Sequence, residues 1–392
     1  MFIKALNGRQ VQTTIHYLCL KLKNMNKAVF IIGTLLFLSH TFAQKQDQKQ
    51  TFELKDYLST NLELDKKTQD VFLSLDDTAI VAQLIMPAVG RYGQTEEKIK
   101  QHIKDRVIGG VLMLNGTKNE FTQQITSFES MNKKAGNLPF LYSADAEPSL
   151  FNNKIKETTP VKKANQLANI TEVINGANTI SKELNAIGIN YNFSPVVDMS
   201  SNSTVGYRGF GADPKNIVPW SNAFILETQK HQIIATAKHF PGHGLVSGDT
   251  HKSLQVIDGE LKEIHNYPPL IEKGVLSIMV AHIAVKNNKE FDTEGLPSTL
   301  SPTIVKELLR DSLQFKGLIV TDAMNMGGVI SVPNSSVKAI QAGCDILLMP
   351  LDAKKAHANI LSLYKTDKEF KKQVDTAAQR IIRMKICAGL IH

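Results

Sequence analysis

The chain reads IIATAKHFPGHG at residues 233–244, a short apolar run that ends in ionisable residues and a turn. A run of this length that is apolar throughout predicts a strand covered on both faces, as in a parallel sheet. Lys238 and His239 stand at its carboxyl end, and the bend supplied by Pro241 and Gly242 would let both side chains reach the same rim. The stretch therefore predicts a buried strand that carries functional groups at its end.

Seven further short apolar runs share this character, and stretches with helical spacing separate them, for example 173–186 and 304–313. Regular alternation of strand and helix implies parallel pairing, and eight such units predict an α/β fold, a (β/α)8 TIM-type barrel in a single catalytic domain. The rival is a doubly wound open sheet, but the segment GRYG at 90–93 is not its glycine-rich phosphate turn. The eight predicted strands are 82–88, 110–114, 139–144, 191–197, 233–239, 277–282, 317–321 and 345–349.

The N-terminus predicts export. Lys27 precedes an apolar run that ends near Leu38, and small residues follow up to Ala43, the pattern of a signal peptide cleaved after Ala43. Residues 1–43 are therefore interpreted as a leader with a signal peptide, 44–392 as the barrel domain, and the location as periplasmic or secreted. An uncleaved membrane anchor is the alternative, although the run is shorter than the roughly 20 residues that a spanning helix needs.

Composition and charge exclude several classes of protein. The 392 residues are 42% hydrophobic and 21% charged, as in a folded globular chain, and this excludes disordered and collagen-like proteins. The net charge of +8 falls to +3 once the leader is removed, because residues 1–43 hold five basic and no acidic residues. Without a basic, aromatic-rich stripe, we expect no nucleic-acid partner and no stable membrane insertion after cleavage. Cys344 and Cys387 lie in apolar stretches, so we expect buried thiols rather than disulfides.

Ionisable residues follow five of the predicted strands. One Asp after a strand is often a helix cap, but the carboxyl ends of all barrel strands meet at one rim, where active sites of this fold lie. Five such ends therefore favour a functional site. The residues concerned are Asp145, Asp198 with the later Arg208, Lys238 with His239, His282 and Asp322.

The residue types suggest acid–base and nucleophilic chemistry. Asp322 follows an apolar strand and could serve as a nucleophile or as an electrostatic stabiliser. Asp249, two residues before His251, could orient that imidazole, which is suited to proton transfer near neutral pH. A metal site built from Asp249, His239, His243 and His251 is the competing interpretation. Proline and glycine break any helix that would align these histidines, so we predict neither a metal nor a cofactor.

The string Lys238–Gly244, followed by Asp249-Thr250-His251, resembles the hallmark of family-3 glycoside hydrolases, and more narrowly their single-domain bacterial β-N-acetylhexosaminidase branch. The resemblance extends to the segments 192–198, 207–211, 278–282, 298–301 and 315–322. One departure lies in the segment after Asp145, where the family usually has an arginine and this chain has none up to residue 153.

The resemblance implies a retaining β-N-acetylglucosaminidase that removes terminal β-GlcNAc from peptidoglycan fragments (muropeptides) or related glycans without a cofactor. It implies that Asp322 is the nucleophile and that His251, supported by Asp249, is the acid/base. It further implies that sugar hydroxyls are held by Asp145, Arg208, Lys238 and His239. His282, at the end of the sixth strand, is also a candidate for substrate binding.

Three alternatives remain open at the level of sequence. A histidine acid/base does not repel phosphate as a carboxylate would, which permits a GlcNAc or glucoside phosphorylase. The same site could instead serve another β-glycosidase. The altered segment after Asp145 also permits a non-catalytic glycan-binding envelope protein that has kept the barrel.

Overall fold

The computed structural model describes residues 51–199, 201–202 and 204–392. The predicted leader, its cleavage site and the alternative of a membrane anchor lie outside these described residues. Within them, thirteen short strands alternate with helices. The strands are β1 (Ile85–Met86), β2 (Ala88–Val89), β3 (Gly110–Met113), β4 (Gly116–Thr117), β5 (Leu141–Ala144), β6 (Ile155–Lys156), β7 (Tyr191–Asn192), β8 (Ile234–Phe240), β9 (Gln255–Asp258), β10 (Ser277–Val280), β11 (Ile283–Lys286), β12 (Leu318–Thr321) and β13 (Leu347–Leu348).

The strands form a closed parallel barrel, which confirms the predicted fold. Seven of them pair in the order β12-β10-β8-β7-β5-β3-β2, and β1 pairs in parallel with β13. A bridge between Val320 and Ile346 joins β12 to the segment that enters β13. Because β1 and β2 are one extended run interrupted at Pro87, the ring has eight strand positions. The pairs β4–β6 and β9–β11 are built from the segments that follow barrel strands.

Helices follow the strands, and most begin with a side-chain cap. The α-helices are Leu62–Leu73, Asp77–Ala82, Glu96–Lys104, Lys118–Lys134, Phe151–Lys154, Ile170–Ile187, Pro214–Lys230, Tyr267–Glu272, Ser335–Ala342, Ala353–Thr366 and Lys368–Cys387. A π-helix spans Thr303–Ser312, and 3-10 turns span Leu54–Asp56, Ala164–Gln166, Lys262–Asn266 and Ser298–Leu300.

Element boundaries differ from the predictions at the first strand. The predicted strand 82–88 begins inside a helix, because Asp76 caps that helix by accepting a hydrogen bond from the backbone N–H of Ala79 at 2.7 Å. Strand pairing starts only at Ile85. The predicted helix 173–186 lies within Ile170–Ile187, as expected, while 304–313 coincides with the π-helix. Cys344 and Cys387 are buried free thiols, as predicted.

A buried carboxylate joins the last strands to two helices. Asp345, immediately before the bridge to β12, is fully buried and accepts from the backbone N–H of Ile319 at 2.7 Å. The guanidinium of Arg310 donates to the same oxygen, and that of Arg380 donates to the other oxygen at 3.1 Å. Arg310 belongs to the π-helix and Arg380 to the C-terminal helix, so one side chain ties both to the barrel where the ring closes.

We predict that Asp345→Asn lowers the free energy of unfolding by about 3–5 kcal/mol, because the largely buried guanidinium of Arg310 and the half-buried guanidinium of Arg380 would lose their fully buried carboxylate. Urea unfolding measures this. Asp311→Asn is the matched control, since Asp311 pairs with Lys306 at the exposed surface. This substitution should lower the free energy of unfolding by less than about 1 kcal/mol. Equal losses in the two variants would contradict the role given to Asp345.

Candidate active site

A cavity of about 460 Å³ opens at the carboxyl ends of the barrel strands. It collects residues from loops that lie far apart in sequence, as this fold requires. Six of the eight sequence-predicted site residues line it: Asp145, Arg208, Lys238, His239, His251 and Asp322. Asp249 lies directly behind His251, and His282 lies elsewhere, as described below.

Lys238 and His239 both reach the cavity because β8 contains an irregularity. Lys238 pairs with Met279 of β10, but the next pairing joins Phe240 to Val280, so His239 is an extra residue between them. A bulge of this kind re-aims side chains that would otherwise point to opposite faces. The expected bend thus occurs at His239 itself, two residues before Pro241. The Lys238–His239 and Phe240–Pro241 peptide bonds are both cis.

A buried ionic cluster forms one side of the cavity. The Lys238 ammonium lies 3.0 Å from Asp145 Oδ1 and 2.6 Å from Glu147 Oε1. The Arg208 guanidinium donates twice to Glu147, through Nε at 2.8 Å and Nη2 at 2.5 Å. Glu147 is fully buried, and burial alone would raise its pKa, but Arg208 and Lys238 lower the pKa to about 2. Glu147 therefore stays ionised and fixes both cations beside the cavity.

Sequence reasoning did not single out Glu147 as a site residue, although it stands two residues after Asp145. A buried acid at that position could equally have been a helix cap, and only the tertiary contacts with Lys238 and Arg208 distinguish the two.

Lys154 is a second cation on Asp145 that the sequence did not reveal. It ends the short helix Phe151–Lys154, lines the cavity, and places its ammonium 2.6 Å from Asp145 Oδ2. Burial would raise the pKa of Asp145, but Lys154 and Lys238 lower it well below its usual range. The segment that lacks an arginine therefore still supplies a cation to Asp145, by folding back over nine residues.

His239 is held by a buried carboxylate. Asp198 Oδ2 lies 2.6 Å from His239 Nδ1, while Asp198 Oδ1 accepts from the backbone N–H groups of His239 at 3.1 Å and His243 at 2.9 Å. Burial would raise the pKa of Asp198, but the imidazole of His239 lowers it. Since Nδ1 is occupied by Asp198, Nε2 is the nitrogen of His239 that can bond a ligand in the cavity.

Asp322 follows β12 and is held in place by backbone hydrogen bonds. Its N–H donates to the carbonyl of Val280 at 2.9 Å, and its Oδ1 accepts from the N–H of Ala323 at 2.8 Å. Burial would raise the pKa of Asp322, but His239, His282 and the Ala323 N–H lower it. Asp322 is therefore an ionised carboxylate on a rigid element, as a nucleophile or a stabiliser of positive charge must be.

His251 and Asp249 form the predicted pair on a loop at the rim. His251 Nδ1 lies 2.8 Å from Asp249 Oδ1, which also accepts from the His251 backbone N–H at 3.0 Å. Burial would raise the pKa of Asp249, and the hydrogen bond from the imidazole lowers it. The His251 side chain is 62% exposed, so the ring lies at the open side of the cavity. Among the described residues Nε2 has no hydrogen-bond partner, which leaves this nitrogen available for proton transfer.

His282 does not line the cavity. Its ring is completely buried, with Nδ1 2.8 Å from Thr299 Oγ1 and Nε2 3.0 Å from the carbonyl of Ala323. Both nitrogens are therefore occupied by protein atoms. The structure places His282 as a support for the segment after Asp322, rather than as the substrate contact that was expected.

A third residue that the sequence did not reveal holds the loop that begins at Gly242. Glu263, buried in a 3-10 turn, accepts from the N–H groups of Met199 at 2.6 Å, Gly244 at 3.0 Å and Leu245 at 3.2 Å. Burial and the Asp198 carboxylate raise the pKa of Glu263 to about 8. A Cβ at Gly244 would lie only 1.8 Å from the carbonyl oxygen of Met199, which explains the glycine. In sequence, Glu263 looks like any surface acid.

We predict that Lys154→Met lowers the free energy of unfolding at pH 7 by about 1–3 kcal/mol, because Asp145 loses one of two largely buried partners. The lowered pKa of Asp145 means that this stabilisation is present above the ordinary carboxyl pKa and is lost as the pH falls toward the folded-state value. Urea unfolding at several pH values should therefore show that the free energies of unfolding of Lys154→Met and of the wild type become more alike below about pH 4.

Lys162→Met is the matched control for that measurement, since Lys162 forms a more exposed pair with Glu172 and should cost under about 1 kcal/mol. A pH-independent loss in Lys154→Met, or a loss no larger than the control, would contradict the pairing.

Two properties of the described residues bear on other kinds of site. Within residues 51–199, 201–202 and 204–392, no three His, Cys, Asp or Glu side chains are grouped so as to hold a metal ion. In the same part of the chain, none of the helices has the length and apolar character required to cross a membrane.

Comparison with known proteins places this geometry in a family. A β-N-acetylglucosaminidase/β-glucosidase from Cellulomonas fimi is 29% identical over 303 residues, which cover 72% of this chain and 53% of that protein. A β-hexosaminidase from Glaesserella parasuis is 38% identical over 180 residues, covering 43% and 52%. The chain thus spans about half the length of these relatives.

Solved structures show the same fold. The β-N-acetylhexosaminidase from Beutenbergia cavernae superposes with a TM-score of 0.71 at 25% identity, covering 78% of this chain and 97% of that one. A β-glucoside phosphorylase bound to 2FGlc superposes with a TM-score of 0.75 at 25% identity, covering 84% and 62%. Residues 77–384 match the family described as the glycosyl hydrolase family 3 N terminal domain. Because this match covers most of the chain, the chain belongs to glycoside hydrolase family 3.

Proposed function

We propose that this protein is a retaining β-N-acetylglucosaminidase that removes terminal β-linked GlcNAc. The observation that carries the proposal is the meeting of two groups at one cavity. Asp322 supplies an ionised carboxylate from the end of β12, and the Asp249–His251 pair supplies a proton-transfer group at the open rim. The named relatives, a β-N-acetylglucosaminidase/β-glucosidase and a β-hexosaminidase, support the choice of sugar.

Four other polar residues that line the cavity suit a sugar ring. Lys238, Arg208 and His239 offer hydrogen-bond donors, while Asp145 accepts, and hydroxyl groups use both. All four are fixed by buried partners before any ligand binds, so little ordering is needed on binding. A sugar held there by its hydroxyls can direct its anomeric carbon toward Asp322.

The reaction then runs in two displacements. His251 Nε2 gives a proton to the glycosidic oxygen while an Asp322 oxygen attacks the anomeric carbon, so the aglycone leaves as an alcohol and a glycosyl ester forms. In the second step water attacks the same carbon, His251 accepts the water proton, and the bond to Asp322 breaks. Two inversions give net retention, and Asp249 keeps Nδ1 engaged throughout.

The proposed substrates are peptidoglycan fragments or related glycans that end in β-GlcNAc. We also propose a periplasmic or secreted location. The N-terminal sequence has the pattern of a signal peptide, and peptidoglycan lies outside the cytoplasmic membrane.

We predict that the wild-type protein releases 4-nitrophenol from 4-nitrophenyl β-N-acetylglucosaminide. Asp322→Asn should lower kcat at least about 1000-fold because the nucleophile is lost, and His251→Ala should lower it by about 100- to 10,000-fold on this substrate. Asp311→Asn, a surface acid-to-amide change, is the control and should keep wild-type activity.

Absence of turnover by the wild type on GlcNAc, glucose and xylose glycosides would contradict the proposal. Saccharide binding that persists unchanged in His251→Ala, without turnover, would favour the non-catalytic glycan-binding alternative.

A second candidate is a phosphorylase on the same site. The acid/base position is held by an imidazole, which does not repel an anionic acceptor, and Lys154 adds an ammonium to the cavity lining. One superposed structure is that of a β-glucoside phosphorylase. Products formed with and without inorganic phosphate separate the two reactions. We expect free GlcNAc in both cases, and accumulation of a sugar 1-phosphate would overturn hydrolysis as the main reaction.

A further inference from the structure

The loop that carries His251 is joined by its main chain to the segment that follows Asp322. The N–H of Gly327 donates to the carbonyl of His251 at 3.0 Å, and the N–H of Gly328 donates to the carbonyl of Thr250 at 3.1 Å. Between Asp322 and these glycines the chain turns back on itself, with the N–H of Met326 bonded to the carbonyl of Ala323 at 3.0 Å. Only four residues separate Asp322 from Gly327, so a short piece of chain connects Asp322 to the residue that bonds the His251 carbonyl.

The approach at these glycines leaves no room for a side chain. A Cβ on Gly327 would lie 2.2 Å from the carbonyl oxygen of Lys252 and 2.9 Å from that of His251. A Cβ on Gly328 would lie 2.9 Å from Cβ of His282. Neither glycine has a positive φ. The reason for glycine at both positions is therefore the close contact with the His251 loop and its support, rather than an unusual backbone conformation.

Contacts on the other side of the loop involve its earlier residues. The Asn202 side-chain amide donates to the carbonyls of Gly248, at 3.0 Å, and Val246. Thr250 Oγ1 lies 3.2 Å from His243 Nε2. The His251 side chain itself is exposed, and within the described residues it is hydrogen-bonded to Asp249 on the same loop. The hydrogen bonds from the N–H groups of Gly327 and Gly328 thus connect the His251 loop directly to the segment that follows Asp322.

We propose that Gly327 and Gly328 are positioning residues, which set His251 at its working distance from Asp322 by holding the loop through backbone hydrogen bonds and close contact. The inference rests on the proposed function, because it concerns how the acid/base is placed for that reaction. Misplacement of a reacting group by about 1 Å can cost about 100-fold in rate, so a tether of this kind matters even though neither glycine touches substrate.

The first test measures the tether without using activity. In Gly327→Ala, the added methyl must push away the Lys252 carbonyl, and the bonds within the loop, such as that from the Lys252 N–H to the Asp249 carbonyl, should open. We expect faster hydrogen–deuterium exchange in the peptide covering residues 248–255, compared with wild type. Gly176→Ala is the control, because a Cβ on Gly176 meets nothing within 4 Å. Unchanged exchange in Gly327→Ala would overturn the proposal whether or not the protein turns over glycosides.

The second test asks which catalytic step is damaged. Loss of acid assistance slows substrates with poor leaving groups, while a dinitrophenolate leaving group departs without a proton. We expect kcat/KM of Gly327→Ala to fall about tenfold or more for phenyl β-N-acetylglucosaminide, whose phenolate is a poor leaving group, and to change little for the 2,4-dinitrophenyl substrate. Equal losses for both substrates would place the damage at Asp322 or in the fold and would overturn the proposal.

Gly328→Ala provides a second variant if Gly327→Ala folds poorly, since the shortest contact of its Cβ would be 2.9 Å, to Cβ of His282, compared with 2.2 Å to a carbonyl oxygen at Gly327. Its kcat/KM should show the same selective loss for the substrate with the poorer leaving group, but a smaller one. Its unfolding temperature should be close to that of Gly176→Ala. Wild-type inactivity on both substrates would instead remove the proposed function, leaving hydrogen exchange to decide whether the tether exists.

Discussion

The constraint on which the site depends is the burial of Glu147. A carboxylate removed from water is tolerated only with compensating charges and hydrogen bonds, and Glu147 obtains them from Lys238 and Arg208. Those two cations come from different strand ends, so the pairing fixes the relative position of β8 and of the loop after β7. Asp145 completes the cluster and recruits Lys154 from the helix Phe151–Lys154. The side of the cavity proposed to bind the sugar is therefore organised in advance by charge pairing.

The opposite side follows a different design. Asp322 stands at the end of a buried strand and is held by backbone bonds, whereas His251 lies on an exposed loop. Acid/base groups on loops must be positioned by something outside the loop, because loops open at lower free energy than the core. Here the neighbouring segment 322–328 reaches back to the loop through main-chain bonds. The proposed nucleophile and the proposed acid/base are thus placed by one continuous piece of chain, although 70 residues lie between them in sequence.

Much of the site could be read from the sequence, because its residues occupy strand ends. The apolar runs predicted the parallel barrel, and barrel topology brings all strand ends to one rim, so Asp145, Lys238, His239 and Asp322 were expected together. The close spacing of Asp249 and His251 predicted their hydrogen bond, since a contact over two residues needs no knowledge of the fold. The resemblance to the family added the choice of roles, which spacing alone left open.

What the sequence determined is the alternation of elements and the contacts that depend on short separation or on strand ends. Only the tertiary structure decided the rest. The extra residue at His239 depends on how β8 pairs with β10, and Lys154 reaches Asp145 only because the segment from Asp145 to the short helix Phe151–Lys154 folds back. His282 stands at a strand end like the others, yet packing of Thr299 and Ala323 around it takes both nitrogens away from the cavity. Glu263 and the pair Gly327–Gly328 act through backbone groups of distant segments. Such contacts leave no pattern in the sequence, because every residue except proline has the same backbone N–H and carbonyl groups to offer.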